Sequence, residues 1–66
     1  MTVRDAVKLL RTDEEIALYD VNMGAWRSGI LTKEYIPPVY LDYEVVALQI
    51  DMDGSIPVLE FDIKPN

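Results

Sequence analysis

Apolar residues near the start of the chain recur at helical spacing. Val3, Ala6, Val7 and Leu10 fall at i, i+3, i+4 and i+7, a single stripe along one helix face. Thr2 is placed as the N-cap, and Asp5 three residues on completes a capping-box arrangement. Arg4, Lys8 and Arg11 make a second, basic stripe on a neighbouring face, with two of them in the last turn, where cations favour the negative end of the helix dipole. A helix this short is marginal by itself and must dock on something. Thr12, Asp13 and Glu14 then break the period. Ile16-Ala17-Leu18-Tyr19-Asp20-Val21 is apolar and β-favouring on both faces, which predicts an inner strand. Asn22-Met23-Gly24 supplies turn chemistry, and Ala25 to Leu31 reads as the returning strand, with a bulge or close backbone approach at Gly29. Pro37-Pro38 ends regular structure, and Val39 to Asp42 has room for one helical turn behind it.

The last third alternates with period two. Val46, Leu48 and Ile50 interleave with Val45, Ala47 and Gln49, and Leu59, Phe61 and Ile63 interleave with Glu60 and Asp62. Asp53-Gly54 between these runs is the strongest short-range hairpin signal a sequence can carry. Pro57 belongs at a strand start or on an edge, because it donates no ladder hydrogen bond. The order is α-ββ-short helical turn-ββ. It predicts an α+β fold, one N-terminal helix packed on a four-stranded, mainly antiparallel sheet, as a single small domain over residues 1–66.

Composition narrows the chemistry. With 66 residues there is room for one domain, of roughly 4,200 Å² surface if compact. So thin a core gains from self-association, and a homo-dimer or higher oligomer is a natural form. There is no cysteine and no histidine. That removes disulfides, thiolate nucleophiles, Cys-based zinc sites and the side chain that serves most often as general base. The opening residues are amphipathic and carry no apolar signal-peptide core, and no apolar run approaches a membrane span. A soluble, cytoplasmic protein is expected.

The charge is lopsided. Residues 1–33 balance Arg4, Lys8, Arg11, Arg27 and Lys33 against Asp5, Asp13, Glu14, Glu15 and Asp20. Residues 34–66 set Glu34, Asp42, Glu44, Asp51, Asp53, Glu60 and Asp62 against Lys64 alone, so the whole excess of −6 lies there. Such a surface repels phosphate, which disfavours nucleic acid and anionic membranes and suits a basic protein partner. It also serves simply to solubilise.

Four features bear on function. Gln49 to Glu60 places Asp51, Asp53, Gly54 and Glu60 at positions 3, 5, 6 and 12 of a calcium-loop register. The first position is Gln49 rather than Asp, however, and the flanks are strand-like, so a hairpin is expected and no metal site. Pro37-Pro38-Val39-Tyr40 matches a pattern read by WW domains, but it lies between expected strands and its tyrosine is expected simply to cap the core. Tyr35, Tyr40 and Tyr43, set among Glu34, Asp42 and Glu44, are either core aromatics or a partner-binding patch, because a rigid apolar body with a polar tip makes a good interface anchor. Carboxylates alone can do acid–base work only where a pocket separates their pKa values. With these acids on expected solvent faces, and no phosphate-binding glycine loop or nucleophile elbow, neither enzymatic activity nor a cofactor is expected.

Thr2-Val3-Arg4-Asp5-Ala6-Val7-Lys8-Leu9-Leu10, Ile16-Ala17-Leu18-Tyr19-Asp20 and Tyr40-Leu41-Asp42-Tyr43-Glu44-Val45-Val46 resemble short proteins encoded by phages and prophages of Gram-positive bacteria. The resemblance implies an accessory factor that binds a host protein, such as an anti-defence inhibitor. Two functions follow. The first is a non-enzymatic acidic binder acting through Tyr35, Tyr40, Tyr43, Glu34, Asp42 and Glu44. The second is a small oligomer that holds a nucleotide-like molecule between subunits through Arg4, Lys8 and Arg11. A plainer third option is a structural or regulatory accessory protein with one obligate partner.

Overall fold

A computed structural model describes residues 1–66 throughout. It contains one short helix, α1 (Val3–Val7), and four strands, β1 (Ile16–Asp20), β2 (Ala25–Trp26), β3 (Glu44–Asp53) and β4 (Ile56–Lys64). Single 3-10 turns cover Lys33–Tyr35 and Pro38–Tyr40, the second in the stretch where the proline pair predicts one. The strands form one sheet in the order β2-β1-β4-β3. The β1–β2 and β3–β4 pairs are antiparallel, and the parallel β1–β4 pair joins them. The result is a small α+β domain with a mixed, mainly antiparallel sheet.

The capping box of α1 is closed in both directions. The Asp5 N–H donates to Thr2 Oγ1 at 3.2 Å, and the Thr2 N–H donates to Asp5 Oδ2 at 3.4 Å. These bonds to Thr2 hold the Asp5 carboxyl below the usual carboxylate range. The helix is shorter than the apolar stripe implies, because Leu9 and Leu10 bond back only three residues, to Ala6 O and Val7 O. Lys33 caps the end: its Nζ donates to Leu10 O at 2.7 Å and, alongside the Leu10 N–H, to Val7 O at 3.3 Å. Arg11 therefore lies beyond the helix.

Val3 and Ala6 of α1 are buried against Ile16, Leu18, Ile36, Phe61 and Ile63. The parallel register sets Ile16 beside Leu59, Leu18 beside Phe61 and Asp20 beside Ile63, so one face of the two inner strands forms the core. The total surface of 4140 Å² agrees with the roughly 4,200 Å² expected of a compact chain this size.

Asp20 is buried completely and organises the β1–β2 turn. Its Oδ1 accepts the N–H groups of Asn22 and Met23 at 2.9 and 3.1 Å, and its Oδ2 faces Arg27 Nε at 3.3 Å. Gly24 closes the turn at φ 64°, a conformation glycine adopts without strain. The returning strand ends at Trp26 instead of running to Leu31. There the Leu18 N–H donates to Ser28 Oγ at 3.0 Å in place of a backbone carbonyl. Pairing resumes where Ile16 and Leu31 exchange two bonds of 2.8 and 2.9 Å. The register has slipped by two residues, and the excess bows out around Gly29, the position marked as a bulge by sequence.

Residues Glu44 to Lys64 form the expected hairpin. Gly54 alone has positive φ (65°) in its two-residue loop, the pattern of a type II′ turn. A bulge at Val46 shifts the phase of β3, bringing Val45 to the core face together with Leu48 and Ile50. Pro57 sits in β4, an inner strand, but beyond the reach of β1, whose pairing begins at Leu59. Its missing N–H therefore faces no neighbour.

Three substitutions test this frame by urea denaturation. Asp20→Ala strips three donors of their acceptor and should lower stability by about 2–4 kcal/mol. Lys33→Met should cost about 1–2 kcal/mol, whereas Arg11→Ala, at an exposed pair with Asp13, should change stability by less than about 0.5 kcal/mol.

Candidate binding groove

Alternate residues of β4 point away from α1. On that face Glu60 lies between Ala17 of β1 and Gln49 of β3, and Asp62 lies between Tyr19 and Ala47. The bowed segment after β2 rises on one side, and the β3–β4 arm, which outruns β1, rises on the other. Between them runs an open groove of about 420 Å³. Its floor is Ala17 and Val58, both buried. One wall is Trp26, Ser28, Gly29 and Ile30, and the other is Asp51, Met52 and Asp53. Trp26 stands edge-on to Tyr19 at 5.1 Å, which steadies the indole while leaving 53% of the residue exposed.

A line of carboxyl groups runs along the floor's end. Glu60 and Asp62 are 8% and 6% exposed. Hydrogen bonding to the Asp62 and Asp51 carboxyls pushes the Glu60 pKa up to about 8, with loss of water and the neighbouring negative charges acting in the same direction. Near neutral pH Glu60 thus keeps its proton. Gln49 Nε2 donates to Asp62 Oδ2 at 2.6 Å and reaches Glu60 Oε2 at 3.5 Å. Asp62 Oδ1 is buried with no partner. Asp51 belongs both to this line and to the groove wall, so the negative potential is presented where the apolar floor begins.

The residues singled out by sequence lie elsewhere and do not form one patch. Tyr35 is 72% exposed, and Glu34 beside it is exposed. Tyr40 and Tyr43 pack edge to face at 5.1 Å against the core. Asp42 pairs with Arg4 at 3.3 Å, and Glu44 with the Met1 ammonium at 3.1 Å, so these two acids tie the start of the chain to the entry of β3. The basic stripe is dispersed in the same way. Arg4 is engaged by Asp42, Arg11 reaches Asp13 at 3.6 Å, and Lys8, the C-cap of α1, is exposed. Glu60 and Asp62 escape a sequence reading that assigns alternate acids to a solvent face. The signal that could have found them is Ile16–Asp20, apolar on both sides, since a strand of that kind demands a neighbour sheltered on both sides too.

No protein-family model matches this chain, and no curated protein or solved structure matches it either.

The Glu60 proton carries a pH signature. The folded chain holds it up to about pH 8, while the unfolded chain releases it near the ordinary value of 4.5. Between those limits the native state binds more protons, so stability falls as pH rises, by at most roughly 1.4 kcal/mol per pH unit. The urea midpoint should be higher at pH 5 than at pH 8, and Glu60→Gln should flatten that difference.

Proposed function

We propose that this chain is a non-enzymatic binding protein whose open sheet face receives a basic segment of another protein. The observation that carries this reading is the groove itself. It has an apolar floor, a tryptophan wall and two carboxylates, Asp51 and Asp53, on the opposite side. A lysine or arginine side chain matches that arrangement from stem to tip. Its methylenes cover Ala17 and Val58, its cation lies near the Trp26 face, and its charge meets the carboxylates. The acidic second half of the chain adds a long-range attraction that speeds encounter with a positive surface. In the setting implied by the phage resemblance, the partner is a host protein in the bacterial cytoplasm, and occupying its basic segment inhibits it.

This reading replaces the tyrosine-centred surface as the contact region, because Tyr40 and Tyr43 serve the core and Asp42 and Glu44 are already paired. Trp26 is the sole tryptophan and lines the groove, so its emission reports occupancy directly. Titration with lysine- and arginine-rich peptides should shift that emission saturably, and the affinity should fall as salt rises. Asp51→Asn and Asp53→Asn should each weaken binding about 3- to 10-fold, the worth of one partly screened charge contact. An emission unchanged by every basic peptide, or binding equally strong in both variants, contradicts the proposal.

A further inference from the structure

The β3–β4 arm has two free edges, and they are treated differently. On the β4 side, beyond the end of β1, Pro57 removes the donor that another strand would need. The outer edge of β3 carries no such block. At its start it is covered by the chain's own first residues: Thr2 bridges Glu44, and the Val45 N–H donates to Met1 O at 2.8 Å. The bulge at Val46 follows. From Ala47 to Asp53 the edge then runs regular, without proline, lysine or bulge.

The turn fixes which backbone groups are free. Asp53 and Ile56 close a two-residue hairpin loop as a hydrogen-bonded pair, so Asp51, Gln49 and Ala47 also direct their N–H and C=O groups at β4. Leu48, Ile50 and Met52 direct theirs outward. Their side chains lie on the face that carries the core, yet they are 53%, 67% and 61% exposed. An edge that is long, apolar and unblocked is a template for another strand.

We propose that this edge pairs antiparallel with the same edge of a second copy, about a two-fold axis through Ile50, making one continuous sheet. The free stretch is its own complement in that register. Ile50 meets Ile50, Leu48 meets Met52, Gln49 meets Asp51 and Ala47 meets Asp53. The three large apolar residues, Leu48, Ile50 and Met52, face one another, and no carboxylate stands directly opposite another. Centring on Asp51 sets two carboxylates face to face. Centring on Gln49 drives Asp53 against Val45, whose N–H is already taken by Met1. Only the Ile50 axis uses all of Ala47 to Asp53 in both copies, and it leaves the groove on the opposite face open. The formal charge of −6 on each copy opposes association, so the dimer should tighten as salt is raised.

Sedimentation equilibrium of the full chain should show reversible doubling of the 7.5 kDa mass, stronger in high salt. Ile50→Pro removes an outward N–H that β3–β4 pairing does not use. It should weaken the dimer at least 10-fold while circular dichroism stays that of the native sheet. A fold check independent of that substitution comes from cysteine, which the chain lacks. Ile50→Cys should cross-link to itself under mild oxidation, since hydrogen-bonded pairs hold their Cα atoms about 5.5 Å apart. Leu48→Cys should cross-link only when mixed with Met52→Cys. A chain monomeric to about 1 mM overturns the proposal and leaves the edge to a strand of another protein. So does a dimer unaffected by Ile50→Pro, or Leu48→Cys linking to itself as readily as Ile50→Cys.

Discussion

The parallel pairing of β1 with β4 is the constraint on which the rest depends. It makes β4 an inner strand, so both of its faces must be accounted for. One face gives Phe61 and Ile63 to the core under α1. The other carries Val58, Glu60 and Asp62 into a sheltered position without a helix above it, and this is why carboxyl groups end up covered and Glu60 holds its proton. Were β4 an edge strand, the same residues would be ordinary solvated acids. The short helix packs over Ile16 and Leu18 of β1, and buried Asp20 anchors the turn at its end.

A mismatch in strand length produces the recognition surfaces. β1 has five residues and β4 nine, so the β3–β4 hairpin continues past the end of β1 as an arm. Against the bowed residues around Gly29, the arm's inner side becomes a groove with an apolar floor and acidic wall. Its outer side becomes an unblocked edge. Both features sit where the domain has run out of core, which fits a chain with only 12 buried residues.

Much of this was legible in the chain. The capping box at Thr2 and Asp5, the Asp20 turn region, the bulge at Gly29, the single turn after Pro37 and the hairpin around Gly54 are local effects, and local residue chemistry reveals them. Strand neighbours are not local. Nothing in the alternation of Glu60 and Asp62 says whether β4 is inner or outer, so the sheltered acids and the groove beside them were hidden. The helix end is hidden for a related reason: Leu10 continues the apolar stripe, but the Lys33 ammonium that caps its carbonyl comes from far along the chain. Tyr40 and Tyr43 look like interface anchors by composition and are drawn into the core because a domain this small needs their bulk.

Whether the open face of the sheet is the working surface can be read residue by residue. Backbone amide shifts of the isotope-labelled chain, followed while a lysine- and arginine-rich peptide is added, give the most direct answer. Changes should gather at Ala17, Trp26, Ser28, Gly29, Asp51, Asp53 and Val58, and leave α1 still. Saturable changes centred on α1 or Tyr35, with the groove silent, would contradict the account.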